Sequence, residues 1–140
     1  MMCRLDQRGV AALEFSLVAA ALFAVMFTAF DLGRYAITVQ SLRALADAGA
    51  RATMINDCYM SAAIGKNSPP TCSGDPLSSP ADKQAAAPFL FLGGLTPTLS
   101  VAGSAPIIVT ASQPGFTMIM PIWGATFKSP SVSTQIPSPL

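Results

Sequence analysis

The chain has 140 residues, of which 51% are hydrophobic and only 11% are charged, and its formal net charge is +1. Soluble domains carry about 25% charged residues, so this composition argues against a wholly soluble protein. The small net charge argues against electrostatic binding of nucleic acid, and the absence of histidine excludes His-based triads and His metal sites.

The first predicted element is a membrane-spanning helix. Val10 to Phe30 is a run of 21 residues in which Glu14 is the only charge, and Arg8-Gly9 precedes it directly. As a helix the run is about 31 Å long, which matches a bilayer core of about 30 Å. A charge inside such a segment is costly, so Glu14 needs a partner.

Charges on either side of this run predict its orientation. Arg4 and Arg8 precede it, and the positive-inside rule places them in the cytoplasm with the rest of the chain outside. Asp31 and Arg34 then mark the far water boundary.

A cleaved secretory signal peptide is the alternative interpretation of the same segment. Its basic start fits, and Ala19-Ala20-Ala21 imitates a small-residue cleavage site. Against it, Glu14 would lie within the hydrophobic core of the signal, and the apolar run continues to Phe30.

The helix is predicted to continue beyond the membrane. All 12 prolines follow residue 68, and a helix from Val10 to about Asn56 would be about 70 Å long. One stripe follows a 3-4 spacing: Leu32, Tyr35, Val39, Leu42, Ala46, Gly49 and Thr53. We expect this stripe to pack on the chain's own C-terminal region, although its small residues would also admit another helix.

The segment 57–98 is rich in proline and serine, which predicts a loop region. Ser79-Pro80-Ala81-Asp82 predicts the start of a short helix that ends before Pro88. The apolar Phe89-Leu90-Phe91-Leu92 would then return the chain to a core.

The segment 99–140 is predicted to form a β-rich head. Ile107 to Thr110 is β-branched, and apolar residues alternate at Phe116, Met118, Met120 and Ile122 and again at Val132, Thr134 and Ile136. Three or four short strands would form a small antiparallel sheet with one face on the helix, so the expected fold class is α+β. Trp123 and Phe116 are expected in the core.

Two of the three cysteines, Cys58 and Cys72, lie on the predicted outer side, where disulfides persist. A bridge would close a loop of about 15 residues, worth about 3 kcal/mol in the chain-entropy model. Two free buried thiols remain the alternative. A zinc site is disfavoured because two cysteines without histidine cannot supply four ordinary ligands.

The N-terminal part of the chain resembles a known family. Gly9-Val10-Ala11-Ala12-Leu13-Glu14-Phe15 resembles a type IV prepilin processing site of the Flp, or tight-adherence, kind. The continuation is similar to the TadE-like family of pseudopilins at Ser16-Leu17-Val18-Ala19, Asp31-Leu32-Gly33-Arg34-Tyr35 and Ala48-Gly49-Ala50-Arg51. The resemblance covers about residues 8–54.

The resemblance implies processing and a role for the glutamate. A prepilin peptidase would cut between Gly9 and Val10 and remove a leader that contains Cys3. Glu14 and Phe15 would become the fifth and sixth mature residues, and Glu14 would pair with the N-terminal amine of a neighbouring subunit. A glutamate that merely snorkels to the interface is the alternative.

The chain also departs from the family pattern. Ala20 stands where members often have proline, so a straight helix is expected, and Asp47-Ala48 replaces an Arg-Glu pair. A head follows the helix, whereas a major pilin ends soon after it. The resemblance therefore implies a minor pseudopilin organised as a leader (1–9), a transmembrane helix (10–30), an amphipathic extension (31–56), a loop region (57–98) and a head (99–140).

The expected function is assembly of an Flp-type pilus from the bacterial inner membrane. The implied partners are the prepilin peptidase, other pilins and pseudopilins, the inner-membrane assembly platform and the lipid bilayer, with no nucleic acid, small-molecule substrate, metal or cofactor. An unprocessed single-pass membrane-anchored interaction module of a secretion or envelope complex is the alternative. An enzyme is disfavoured because no nucleophile–base pair is visible and Asp57, Asp75 and Asp82 are scattered in the loop region.

Overall fold

One long helix dominates the computed structural model, which describes residues 7–65 and 69–138. Helix α1 runs from Gln7 to Met54, 48 residues, without a break. At 1.5 Å per residue it is about 72 Å long. Proline is absent from this stretch of the sequence, so every backbone N–H beyond the first turn can join the helical ladder. The predicted continuous helix is confirmed.

Short helices connect α1 to the sheet. Helix α2 (Asp57–Gly65) follows α1 after a tight turn, and α3 (Pro80–Ala86) begins after Ser79 with proline in its first turn. Two 3₁₀ turns within Pro88–Gly94 come next, separated by a kink at Leu92 and Gly93, and they bury Leu90. The structure thus places α3 where the sequence predicts a short helix, whereas α2 lies in a segment that we interpreted as loop.

Three strands form one antiparallel sheet in the order β1 (Thr98–Ala102), β2 (Ile107–Ser112) and β3 (Ser131–Ile136). The first connection is a tight turn at Gly103, which has a φ of 89°. A Cβ atom there would lie 2.7 Å from the carbonyl oxygen of Pro106, so only glycine fits. The α+β fold with a small antiparallel sheet is confirmed.

The core lies between the C-terminal half of α1 and one face of the sheet. Helix residues Leu42, Leu45, Ala46 and Ala50 meet strand residues Leu99, Val101, Ile107, Val109, Ala111 and Ile136. At Gly49 an added Cβ would lie 2.9 Å from Cδ2 of Leu99, so the sheet approaches the helix backbone closely. The predicted stripe therefore packs on the chain's own C-terminal region from Leu42 to Thr53, while Leu32 remains 42% exposed.

Asp47, a residue at which the chain departs from the pattern of the family that it resembles, takes part in this packing. The carboxylate of Asp47 accepts a hydrogen bond from Oγ1 of Thr134 on β3 at 3.1 Å. Thr134 is a residue of the strand that lies against α1. Asp47 thus helps to join the helix to the edge strand.

The predicted strand through Phe116, Met118, Met120 and Ile122 is wrong. This segment is an irregular loop that contains a 3₁₀ turn, Pro121–Trp123, between β2 and β3. Pro121 cannot donate to a ladder, and the N–H groups of Ile119 and Met120 donate to a side chain on α1 instead. Phe116 is buried as expected, whereas Trp123 is half-buried.

Candidate functional site

The N-terminal part of α1, residues 10–30, is called the anchor segment here and lies outside the head. Its side chains are exposed except for the half-buried Ala19 and Thr28. Eleven large apolar side chains are among the exposed ones: Val10, Leu13, Phe15, Leu17, Val18, Leu22, Phe23, Val25, Met26, Phe27 and Phe30. The helix is long and apolar enough to cross a membrane, which fits a single-pass membrane anchor.

Water is not a tolerable environment for this surface. Burying one large apolar side chain is worth about 1.5–3 kcal/mol, so these eleven represent on the order of 20 kcal/mol. That exceeds the whole stability of a typical domain, about 5–15 kcal/mol. The anchor segment therefore requires lipid or other apolar helices around it.

The sequence-predicted site residues Gly9, Val10, Glu14 and Phe15 lie together on the first exposed turns of this helix. Val10 and Glu14 are one helical turn apart and so share a face, with an axial rise of about 6 Å between them. Phe15, 74% exposed, points to a neighbouring face. Among the residues that the structure describes, no hydrogen bond or ion pair involves the Glu14 carboxylate.

The residues that predict the orientation in the membrane cannot be placed in the same way. Arg4 and Cys3 lie outside the described residues, as does the side chain of Arg8. A cytoplasmic N-terminus consequently stays a prediction from the sequence.

Asp31 is the first residue after the anchor segment, and its side chain is 1% exposed. One carboxylate oxygen accepts the N–H of Ile119 at 3.1 Å, and the other accepts the N–H of Met120 at 2.7 Å. The guanidinium of Arg34, one turn further along α1, lies 3.5 Å from the carboxylate. Asp31 thus fastens the β2–β3 connection to the helix at the end of the apolar run.

These contacts keep Asp31 ionised. Burial raises the pKa of its carboxyl. The N–H donors of Met120 and Ile119 and the charge of Arg34 lower that pKa, and their combined effect is larger than the effect of burial. The net pKa lies below the ordinary value for aspartic acid. A carboxylate that accepts backbone hydrogen bonds is stabilised in its charged form, which is the form that this fastening needs.

The connection that Asp31 holds is called the boundary loop here and comprises residues 117–128. Its ends are closed by a hydrogen bond from the N–H of Ser129 to the carbonyl of Phe116 at 3.3 Å. Two large apolar side chains project from it, Ile119 at 69% and Ile122 at 66% exposure. The loop therefore presents apolar surface beside the turn of α1 that follows the anchor segment.

Aromatic rings join the boundary loop to α1. Tyr35 lies edge-on to Phe127 with ring centroids 5.0 Å apart, and Phe127 lies edge-on to Trp123 at 5.4 Å. The Arg34 guanidinium lies 5.5 Å from the centre of the Phe116 ring. Nε1 of Trp123 is enclosed and has no hydrogen-bond partner among the described residues. This cluster holds the loop in place at one end of the head.

The two cysteines predicted to pair are joined at the opposite end of the head. Cys58 on α2 and Cys72 form a disulfide with Cα atoms 5.5 Å apart. Cys72 is 5% exposed and belongs to the core. Two residues later, Gly74 bridges to Val101 of β1, whose N–H donates to its carbonyl at 2.8 Å. The disulfide therefore ties the end of the long helix to the edge of the sheet.

The described residues offer little to an enzyme. They contain no cluster of three metal-ligating side chains. The carboxylate of Asp75 accepts a hydrogen bond from the N–H of Leu77 at 3.0 Å and pairs with Lys83. An open groove of about 390 Å³ beside α1 is lined by apolar and uncharged described residues, among them Ile37 and Phe89. This groove supplies no group for acid–base chemistry.

The predicted site residues thus form two separate groups. Gly9, Val10, Glu14 and Phe15 lie at one end of α1, and the Cys58–Cys72 bridge lies beyond its other end, about 60 Å away along the helix. The fastening role of Asp31 was missed by sequence analysis, which assigned it only to the water boundary. The one available signal was an aspartate at the end of an apolar run, and that signal names no partner.

Comparison with known proteins bears on helix α1. The model of a family described as TadE-like protein matches residues 9–51, which is under a third of the 140 residues. Among curated proteins and solved structures, nothing matches the chain. The match confirms the resemblance of residues 9–51 to the TadE-like family. The matched segment contains Gly9, Glu14 and Asp31 and ends before the sheet.

Proposed function

We propose that this protein is associated with a Tad pilus, as a minor pseudopilin that takes part in assembling an Flp-type pilus after a prepilin peptidase cuts between Gly9 and Val10. The observation that carries the proposal is the setting of Glu14. It is a carboxylate without a described partner, one turn after the Gly9–Val10 bond, on a helix that is otherwise apolar there.

The apolar surface of the anchor segment would be covered in two successive environments, the membrane and the filament. In the inner membrane, lipid would cover the eleven exposed side chains; in a filament, the helices of neighbouring subunits would cover them. The head packs on α1 from Asp31 onward, where Asp31 holds the boundary loop. The anchor segment is therefore accessible around its whole circumference, as a helix must be if subunits surround it on several sides.

The spacing of Val10 and Glu14 supports a specific contact between copies. After the cut, Val10 would carry the new α-amino cation. A parallel copy displaced by about 6 Å along the helix axis would bring its own Val10 amine level with Glu14. An amine and a carboxylate that meet in a low-dielectric environment relieve each other's desolvation cost, because each supplies the opposite charge.

The decisive experiment is the intact mass of the membrane-extracted protein, expressed with and without its prepilin peptidase. We expect a peptidase-dependent N-terminus at Val10, and we expect Gly9→Val to abolish it. Retention of residues 1–9 would favour an unprocessed single-pass membrane-anchored interaction module. A start beyond Ala21 would show an ordinary signal peptide, and the assembly proposal would fall.

A second experiment tests Glu14 directly. Glu14→Gln keeps the size of the side chain and removes the charge, so processing and membrane level should be unchanged. Hydrogen bonds to charged groups are worth about 1.5–3 kcal/mol, so incorporation into pili should fall about ten- to a hundred-fold. Glu14→Asp, which keeps the charge, is the matched control and should retain more incorporation. Normal incorporation of Glu14→Gln would contradict the recruiting role.

A further inference from the structure

We propose that the boundary loop is a membrane-docking element that inserts Ile119 and Ile122 into the outer lipid–water interface beside the anchor segment. The proposal rests on the anchor segment crossing a bilayer, and it adds a second contact between the head and lipid. The partner is the glycerol and upper acyl region of a phospholipid surface.

The first support is the position of the loop along α1. Asp31 holds the backbone of Ile119 and Met120 at the helix turn directly after Phe30, the last residue of the apolar run. If residues 10–30 fill the hydrocarbon core, that turn lies at the interface, and the loop lies beside it. The loop surface is thus continuous with the surface that lipid already covers.

The second support is the composition of the loop. From Phe116 to Trp123 only Thr117 is polar, and no acidic residue lies between Phe116 and Pro130. Ile119 and Ile122 are nonetheless exposed at 69% and 66% in the folded head. Apolar side chains of this size, grouped on one loop and held there by a buried carboxylate, indicate a surface that a lipid interface covers.

The third support is the set of aromatic and basic residues around the loop. Trp123 and Tyr35, which flank Phe127, are the residue types enriched at membrane–water interfaces. Arg34 and Lys128 are exposed next to them and carry the charge that anionic headgroups attract. Arg34 also contacts the Asp31 carboxylate at 3.5 Å, but its side chain is 46% exposed and stays within reach of headgroups. Interfacial aromatics and exposed basic side chains at the end of the anchor segment fit a lipid surface better than a second copy of the chain.

Docking would fix the orientation of the head relative to the membrane. A single helix leaves the head free to rotate and tilt about the helix axis. A loop inserted at one side supplies a second point of attachment and removes much of that freedom. The pseudopilin would then wait in the membrane with one face of the head turned toward the bilayer and the remaining faces open.

Trp123 is the only tryptophan, so its fluorescence reports on the loop directly. The full chain is reconstituted in phosphatidylethanolamine–phosphatidylglycerol vesicles whose acyl chains carry bromine near the headgroup. We expect bromine to quench Trp123. In a second reporter, Trp123→Phe with Ile64→Trp, the tryptophan lies on α2 at the end of the head opposite the boundary loop. It should stay unquenched because that end is far from the bilayer, and tryptophan fits there because Ile64 is 77% exposed.

A third reporter distinguishes failure of loop docking from failure of the membrane anchor. Trp123→Phe with Phe23→Trp places the tryptophan inside the anchor segment, where lipid bromine should quench it. Quenching there without quenching at Trp123 would overturn loop docking and leave the membrane anchor intact. Absence of quenching at both positions would overturn the anchor and, with it, the docking of the loop.

Substitution of the inserted side chains completes the test. Ile119→Asn with Ile122→Asn should reduce the bromine quenching of Trp123 and shift its emission to longer wavelength. Ile64→Asn is the matched control, since it makes the same exchange at an exposed isoleucine far from the loop, and it should change neither signal. Equal quenching of Trp123 in the double variant and the wild type would overturn the assignment to these two isoleucines.

Discussion

The disulfide provides the sharpest stability prediction. We consider the double variant Cys58→Ala with Cys72→Ala, which removes the disulfide cross-link between α2 and the segment that leads to β1. The hydrogen bond between Gly74 and Val101 remains in the variant, but the chain between the two cysteines is released. Alanine keeps the Cβ atom at both positions, so we expect the main change in the unfolded chain.

The size of the effect follows from the length of the closed loop. The two cysteines are separated by 14 positions, and a loop of this size removes about 3 kcal/mol of chain entropy from the unfolded state. The folded part of the chain after the anchor segment has roughly 100 residues, and for a unit of that size each 1 kcal/mol shifts the unfolding temperature by about 4–8 °C. The double variant should therefore unfold about 10–25 °C below the wild type.

The assay is thermal unfolding of the full chain in detergent micelles, followed by near-ultraviolet circular dichroism of the head's aromatic residues. Reduction of the wild-type protein should lower the unfolding temperature by a similar amount. Cys3→Ala, in protein expressed without the prepilin peptidase so that residues 1–9 are retained, is the control for replacing a cysteine as such, and it should leave the unfolding temperature unchanged. A shift of less than about 3 °C in both the double variant and the reduced protein would refute the loop-entropy argument.

Two further predictions concern the contacts of α1. The Asp31 carboxyl has a lowered pKa in the folded protein, so its stabilisation is complete above the ordinary value of 3.8 and is lost as pH falls through the lowered pKa. Trp123 fluorescence should report loosening of the boundary loop in that acidic range, and Asp31→Asn should show the loosened signal at neutral pH; identical pH profiles for the two proteins would contradict this. Leu45→Ala, at a fully buried position, should destabilise the head by about 2–5 kcal/mol in a denaturant titration. Leu32→Ala, at a 42% exposed position, is its control, and an equal loss there would contradict the core assignment.

Features repeated along the chain were predictable from the sequence. The proline-free stretch and the apolar 3-4 spacing predicted α1, and the buried stripe from Leu42 to Thr53 follows from the same spacing. β-branched and alternating residues predicted β2 and β3, because both strands present one face to the helix. In each case the same rule acts at several successive positions, so one exception does not remove the signal.

The boundary loop could not be predicted because its conformation is set by a distant residue. Phe116 to Ile122 alternates like a strand, but Asp31, 88 positions before Ile119, takes the N–H groups that a strand would need. α2 was missed because the segment 57–98 was judged by its overall proline and serine content, whereas its first nine residues contain neither proline nor a helix-breaking run. Glu14 was recognisable only because the residues beside it resemble a processing site.

The continuity of α1 links the direction of the head to the direction of Glu14. Each residue turns the helix by about 100° and advances it by 1.5 Å, and no proline between the two ends relaxes that relation. Deleting one residue between Glu14 and Asp31 would rotate the head by about 100° relative to Glu14, while deleting seven, close to two full turns, would nearly restore it. The number of residues between Glu14 and the head contacts that begin at Asp31 therefore sets which face the head would present to the neighbour that Glu14 recruits.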